Sequence, residues 1–422
     1  MRMQNLYSLF LQSKGVSTDT RTISFGQLYF ALKGPSFNGN FFAHQALEKG
    51  ALAVVVDEAV EGSNEHFILV DDVLTSLQQL AKHHRKLMGT PIIALTGSNG
   101  KTTTKELIHA VLKSQFEVIA TEGNLNNHIG VPLTLLRLQS DTDFAVVEMG
   151  ANHSGEIAQL AEITQPDYGL ITNFGKAHLE GFGSLEGVVK AKSELYEFLK
   201  ANQGVIFANG DDDKMMIQLS GYPAYTYGVE DMLDFAFSIN QHNDPISIKT
   251  NGNHIQTQLT GNYNAYNAAA ALAIGQYLNI PFSKCKTAIE SYIPENNRSQ
   301  QIQKGSLHIT LDAYNANPTS MIAALTAFCQ KPGEKVAILG QMNELGAYEA
   351  QEHQKLVAWA AESQLRCYWV GRPFQPWVDE AFYFETTLQA EDFFKKNALG
   401  ETQVLIKASR SLALENLVDI LH

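Results

Sequence analysis

The chain has 422 residues, 45% of them apolar and 18% charged, with a net charge of −13. That is an ordinary globular balance, long enough for two to four domains. The acidic excess argues against sequence-independent nucleic-acid binding, which needs clustered Lys and Arg to neutralise phosphates. Cys285, Cys329 and Cys367 stand far apart, with no zinc or redox spacing. No apolar run reaches the roughly 18 residues a membrane helix needs. The opening stretch MRMQNLYSLFLQSKG is too short and polar for a secretory signal. A cytoplasmic protein with reduced thiols and no membrane insertion is expected.

In chain order, apolar runs at 28–32, 53–56 and 67–70 read as short strands around a helix at 42–49, and 74–88 reads as a helix leading onward. This predicts a small α/β domain over residues 1–84. From 85 to 297, strands at 91–96, 116–120, 144–149, 168–172 and 204–208 alternate with helical patterns. That rhythm predicts a mainly parallel sheet covered by helices. The stretch 234–259 alternates more like an antiparallel ribbon appended to it. From 298 to 422, strands at 307–311, 335–339, 367–370 and 403–406 alternate with helices at 318–328 and 353–361, a further α/β domain. The expected fold is therefore three-domain α/β with its site at the domain junctions.

The chemistry starts at PIIALTGSNGKTTTKELI (91–108). A strand ends at Thr96 and a helix begins near Thr102, with Gly97, Ser98, Asn99 and Gly100 between. Such a loop aims backbone N–H groups and a helix N-terminus at one spot. Lys101 would neutralise phosphate charge, and Thr102, followed by Thr103, could ligate Mg²⁺. The strict G-x-x-x-x-G-K-[ST] motif is not met, since Leu95 stands where its first glycine belongs.

Open parallel sheets bind ligands beyond the carboxyl ends of their strands. Glu148 ends one expected strand; Asn173 and His178 follow another. Glu148 and His178 are candidate metal ligands, as Mg²⁺ takes few protein ligands besides carboxylates. In SLEGVVKAKSELYEFL, Lys192 falls on the same helical face as Val188 and Leu195, whereas Lys190 points elsewhere. A snorkelling lysine is one reading of Lys192, and a lysine aimed at the site is the other. Asn264 and Asn267 open an Ala-rich helix, and Asp312, Tyr314, Asn315 and Asn317 follow the strand at 307–311. ILGQMNELG and VLIKASRS are further strand ends bearing polar groups, without an assignment from the residues alone.

Together TGSNGKTTTKE, EGNLNNHIGVPLTLL, EMGANHSGEI, TNFGKAHLEGFGS, GNYNAYNAAAA, DAYNANPTSM and ILGQMNELG resemble the Mur ligase family nearly end to end. Within it, they resemble the branch joining D-alanyl-D-alanine to UDP-N-acetylmuramoyl-tripeptide. The resemblance implies an N-terminal uridine-nucleotide-binding domain, a central P-loop ATPase-like domain and a C-terminal Rossmann-like domain. It implies ATP, two Mg²⁺ ions and a Lys192 carbamylated by CO₂. Lys101, Thr102, Glu148, His178 and Lys192 would then form the catalytic and metal-binding set. Asn264, Asn267, Arg298, Asp312 and Tyr314 would contact the ATP. Ser17, Thr20, Arg21, Lys33 and Gly34 would approach the UDP moiety, while Asn126, Asn127, His128, Asn315 and Asn317 would face the reacting substrates. A monomer is expected. The sequence departs from the family pattern at Asn38-Gly39-Asn40, Gln341 and Ala408. Competing expectations are a MurE-like or folylpolyglutamate-synthase-like ligase and a P-loop nucleotide switch.

Overall fold

The computed structural model describes residues 3–240, 245–295, 297–400 and 402–422; residues 241–244, inside the expected ribbon, lie outside that description. The fold is α/β throughout, as the strand–helix rhythm predicts. In the N-terminal part, strands Val16–Ser17, Leu28–Phe30, Ala53–Val56 and Phe67–Leu69 form a parallel four-stranded sheet in that order. Its apolar runs are continuous because the central strands are buried on both faces. Helix Met3–Gln12, left unassigned by the sequence pattern, forms because Leu6 and Phe10, four apart, share one buried face. Phe10 meets the His84 ring edge-on at 5.0 Å. The helix expected at 42–49 is shorter, Ala43–Glu48, and follows a 3-10 turn at Gly39–Phe42.

Helix Val73–Met88 joins this part to the next. Asp72 caps its start by accepting the Thr75 N–H at 2.6 Å, and Gly89, at φ +67°, ends it in the left-handed region. From its buried face Arg85 donates to the Thr164 carbonyl at 3.1 Å and pairs with Asp167 at 2.8 Å.

The central sheet has seven parallel strands, ordered Phe235–Ala236, Ala224–Gly228, Val205–Asn209, Tyr168–Ile171, Ile92–Thr96, Phe144–Glu148, Val118–Ala120. The chain starts at Ile92–Thr96, fills the Val118 side, then crosses to the other side. That reversal opens a crevice at the carboxyl end of Ile92–Thr96, where the Gly97–Gly100 loop sits. The stretch expected as one ribbon divides. Phe235–Ala236 closes the edge of the central sheet, and the antiparallel ribbon is Ser238–Asn240, Ser247–Thr250 and Asn253–Gln256. Two hydrogen-bonded residues carry too little alternation to announce an edge strand.

Helix Tyr263–Tyr277 is buried along nearly its whole alanine run. It lies against the helix Lys101–Lys113, and its Gly275 is where a third helix, Phe282–Ser291, also closes in. A Cβ at Gly275 would fall 2.7 Å from Cys285 Sγ and 2.8 Å from a Val111 methyl.

The C-terminal sheet is ordered Gln300–Lys304, Leu307–Asp312, Gln403–Lys407, Lys335–Gly340, Arg366–Val370, Tyr383–Phe384. Only its first pair is antiparallel. This part docks on the central one through polar contacts. Lys176 Nζ pairs with the buried Glu352 at 2.9 Å, the Lys176 N–H donates to Thr319 Oγ1 at 3.0 Å, and Tyr348 donates to the Gly183 carbonyl at 3.1 Å. Among the described residues no helix is long and apolar enough to cross a membrane.

Candidate active site

The strand ends of the central and C-terminal sheets face one another across a cavity of about 850 Å³. Its floor is the Gly97–Gly100 loop and the first turn of helix Lys101–Lys113. Gly97 and Gly100 have φ of +150° and +77°, and a Cβ on Gly100 would lie 2.8 Å from the Asn267 side chain. Glycine is required there both for conformation and for space. Two of the loop's N–H groups are already engaged: Ser98 donates to the Asn173 carbonyl at 3.0 Å and Asn99 to Asn173 Oδ1 at 3.1 Å. Asn173 Nδ2 and Thr172 Oγ1 both donate to the Asn99 carbonyl, at 2.8 and 2.6 Å. Asn173 thus fixes the loop, and the donors left to meet an anion are those of the helix's first turn, which have no intrahelical partner.

Lys101 Nζ lies folded onto the Gly97 carbonyl at 2.7 Å. Burial pushes its ammonium pKa down, Glu148 opposes that shift, and the Arg298 charge adds to it. Glu148 is fully buried at the end of its strand; it accepts Thr102 Oγ1 at 2.9 Å and Asn126 Nδ2 at 2.8 Å. A Cβ on Gly150 would strike Asn126, so the chain beside Glu148 must stay bare for that amide to reach it. His178, at φ +51°, places Nδ1 2.5 Å from Glu344 Oε2 of the C-terminal part. The Glu344 carboxyl is held below its usual range, first by this bond to His178 and against the opposing pull of burial.

Of the expected site residues, Lys192 and Gly97 do not line the cavity, though the Lys101 charge acts on Lys192. It is wholly buried with Val188 and Leu195, and its Nζ has no hydrogen-bond partner among the described residues. The Phe182 ring lies 5.5 Å away. Burial drives its ammonium pKa well below the ordinary lysine value, and the Lys101 charge adds to the effect. The snorkelling reading therefore fails, whereas Lys190 is exposed as its helical position predicts.

On the far wall, Asn267 Nδ2 donates to Asn264 Oδ1 at 2.8 Å, and the Arg298 guanidinium stacks 3.7 Å over the Tyr314 ring. Asp312 is held by the buried Lys407 at 2.5 Å. Of the residues expected at the site, Ser98 to Thr103, Glu148, His178, Asn126 to His128, Asn264, Asn267, Arg298, Asp312, Tyr314 and Asn315 all line the cavity. Asn317 does not line it, but its Nδ2 donates to Asn99 Oδ1 at 2.7 Å. Lys407, Asn343 and Glu344 also line it and were not singled out by the sequence; their position just past strand ends is the one signal that could have found them.

The candidates in the N-terminal part lie outside this cavity. Arg21 is paired with Asp19 at 2.6 Å, Lys33 with Asp57 at 3.0 Å, Ser17 donates to the Asp19 carbonyl at 3.1 Å, and Thr20 donates to Gln45 at 3.0 Å. Gly34 opens the hairpin Lys33–Gly34/Phe37–Asn38. Of the departures from the family pattern, Asn38 and Asn40 bond the same acids as Lys33, at Glu58 (3.0 Å) and Asp57 (2.9 Å). Gln341 donates to Asn343 Oδ1 at 3.1 Å.

Comparison with known proteins follows this geometry. The family models "Mur ligase family, catalytic domain", "Mur ligase middle domain" and "Mur ligase, glutamate ligase domain" match residues 12–85, 95–275 and 297–410. The UDP-N-acetylmuramoyl-tripeptide--D-alanyl-D-alanine ligase of Bacillus subtilis (strain 168) is 39% identical, over 96% of this chain and 92% of its own length. That of Escherichia coli (strain K12) is 34% identical, over 96% and 93%. Among solved structures, MurF from Acinetobacter baumannii superposes with a TM-score of 0.87 at 30% identity, covering 99% of this chain and 97% of its own. MurF from Thermotoga maritima, solved with ADP, gives 0.85 at 25% identity, with 97% of each chain covered. A Mycobacterium tuberculosis folylpolyglutamate synthase shares the fold alone, with a TM-score of 0.64 at 13% identity over 82% of this chain and 94% of its own. With family models matching almost end to end and relatives 39% and 34% identical over 96% of it, the chain belongs to the Mur ligase family.

Proposed function

We propose that this protein is an ATP-dependent ligase that joins D-alanyl-D-alanine to UDP-N-acetylmuramoyl-tripeptide, a cytoplasmic step of peptidoglycan precursor synthesis. The observation that carries the reading is the convergence of Lys101, Thr102 and Glu148 on one interdomain cavity, with the partnerless Lys192 close enough to Lys101 to feel its charge. In this reading residues 1–84 hold the UDP moiety, 85–297 the ATP phosphates, and 298–422 close over both. Relatives bearing that activity in their names, at 39% and 34% identity over nearly the whole chain, support it.

The chemistry is carboxylate activation. The γ-phosphoryl group passes to the tripeptide's terminal carboxylate, the dipeptide amine attacks the acyl phosphate, and the tetrahedral adduct collapses to amide and phosphate. Such a transfer needs positioning and positive charge rather than a nucleophilic side chain. Lys101 leaves the Gly97 carbonyl for the phosphates, and the first-turn N–H groups hold them. Asn264, Asn267 and the Arg298–Tyr314 stack receive the nucleoside side. Asn126, Asn127, His128, Asn315 and Asn317 orient the reacting ends.

The residues fit Mg²⁺. Thr102 Oγ1 and a Glu148 oxygen lie 2.9 Å apart, hard donors of the kind Mg²⁺ shares with phosphate oxygens, with His178 nearby on the cavity wall. Among the described residues no three acidic, His or Cys side chains form a metal cage on their own, in keeping with an ion bound largely through substrate. A bound divalent ion would neutralise charge on the transferring phosphoryl. Lys192 fits carbamylation: burial disfavours its ammonium, and the neutral amine is the form that adds to CO₂. The N–C bond forms, a proton leaves, and a partnerless amine becomes a carboxylate facing the metal site. The protein would act as a monomer on small-molecule substrates, without nucleic acid or membrane insertion.

The test is phosphate release. It should require UDP-N-acetylmuramoyl-tripeptide and D-Ala-D-Ala together, with a UDP-muramyl pentapeptide in the mass spectrum. Equal ATP turnover without either substrate would sink the ligase reading in favour of a nucleotide switch.

A further inference from the structure

The phosphate helix Lys101–Lys113 carries a second lysine one turn on, to which phosphoryl transfer assigns no part. Lys105 is buried, and neither it nor Thr121 lines the cavity. Its Nζ donates to the Thr121 carbonyl at 2.8 Å. The Glu106 carboxylate stands 3.8 Å off and accepts the Tyr292 hydroxyl, at 2.5 Å, on its other oxygen. A buried ammonium is costly to keep, so the contact it makes asks for a reason. Thr121 supplies one. It is the residue just past strand Val118–Ala120 and is itself buried. Its N–H donates to the Val146 carbonyl at 3.0 Å, and its hydroxyl accepts the Glu148 N–H at 2.9 Å. Five residues on, the Asn126 carbonyl accepts the Gly150 N–H at 2.8 Å, and Asn126 Nδ2 donates to Glu148 Oε1 at 2.8 Å. The segment 121–126 therefore brackets Glu148 on both sides, and Lys105 ties the start of that segment to the helix that carries Lys101 and Thr102.

We propose that Lys105, acting through Thr121, is a positioning residue for Glu148. It fixes where that carboxylate stands relative to Lys101 and Thr102, across a contact no substrate touches. The assignment rests on the reading above that Glu148 helps to hold Mg²⁺. Groups that hold a metal ligand in place commonly change metal affinity by roughly 10- to 100-fold when removed. Two isosteric changes isolate the two steps. Lys105→Met keeps the length of the side chain and leaves the Thr121 carbonyl without its donor. Thr121→Val keeps the shape and leaves the buried Glu148 N–H without its acceptor.

The experiment titrates Mn²⁺ into the ADP-bound full chain, reading free Mn²⁺ by electron paramagnetic resonance. Beside it, the Mg²⁺ concentration for half-maximal phosphate release is measured at saturating substrates. Lys105→Met and Thr121→Val should each weaken Mn²⁺ binding about tenfold and raise the Mg²⁺ midpoint by the same factor. The double variant should be no more than about twofold weaker than the worse single one, since both act on one carboxylate. Thr121→Ser, which retains the hydroxyl, should stay within twofold of wild type. A merely structural role would lower kcat and melting temperature and leave Mn²⁺ affinity where it was. Mn²⁺ binding within twofold of wild type in either isosteric variant therefore overturns the assignment, and should one variant fail to fold, the other decides. Wild-type Mn²⁺ binding in Glu148→Gln would instead fell the metal reading on which the assignment rests.

Discussion

Lys192 concentrates the energetics of the site in one side chain. An ammonium held in an apolar interior without a partner is penalised by several kcal/mol, so burial of this side chain works against its charged form. Two predictions follow from its burial. Lys192→Ala should be nearly inactive and partly rescued by short carboxylic acids, which supply the missing carboxylate; wild-type turnover in that variant would remove the carbamate from the mechanism. Lys192→Met should be equally inactive yet more stable by about 1–2 kcal/mol in denaturant unfolding, because it fills the same volume without a polar head. At this scale the sequence was legible wherever a residue's meaning is local. Helical spacing alone put Lys192 on the face of Val188 and Leu195, and the strand–loop–helix pattern put Lys101 and Thr102 at the first turn of a helix, where they line the cavity. It flagged the strand ends that carry Glu344 and Lys407 but could assign neither residue a role. Their partners, His178 and Asp312, are remote in sequence, and nothing in ELG or IKA marks a carboxylate or ammonium as facing the site.

At the scale of elements, the helix Tyr263–Tyr277 shows how tightly the layer behind the phosphate loop is built. Alanine is the better helix former by about 1 kcal/mol, so Gly275→Ala would stabilise an open helix. Here the new methyl meets Cys285 Sγ and Val111 closer than any ordinary contact. Overpacking of about 1–3 kcal/mol should win, giving a net loss of about 1 kcal/mol in unfolding free energy. Adding Cys285→Ala should recover most of it, and failure to recover would mean that Val111 carries the clash. The central strands, such as Ile92–Thr96, Phe144–Glu148 and Tyr168–Ile171, were readable from their apolar runs to within a residue or two, but the helix read at 353–361 begins four residues earlier, at Glu349. Elements decided by tertiary contact were not readable that way. Phe235–Ala236 joins the central sheet instead of the ribbon, and Met3–Gln12 is helical through its packing on the Val73–Met88 helix. Both are decided by tertiary contacts that leave no periodicity to read.

At the scale of the whole molecule, the C-terminal part shares a buried apolar cluster with the central part and adds polar contacts to it, among which the buried Glu352 responds to pH. Burial pushes its carboxyl up, but the bonds from Lys176 and Lys355 outweigh that and hold it below the ordinary glutamate value of 4.5. A depressed carboxylate contributes stability above its unfolded pKa and loses it as pH falls through the lower folded value. Small-angle scattering should therefore show the radius of gyration growing below about pH 4.5, before far-UV circular dichroism changes. Glu352→Gln should be expanded already at pH 7; an unchanged radius in both experiments would show that this ion pair does not set the docking. Such long-range seating leaves no mark in the sequence, since Lys176 and Glu352 are 176 residues apart. One side chain takes part in that seating with both ends of its amide. Asn317 Oδ1 accepts the Ser320 N–H at 2.9 Å and starts a helix of the C-terminal part, while Nδ2 holds Asn99 in the phosphate loop. A group that belongs to two equilibria must transmit free energy between them in equal measure both ways. By however much nucleotide in the loop favours the seated C-terminal part, seating must tighten the grip on nucleotide, so the departure of spent ADP and the reopening of the cleft are coupled events.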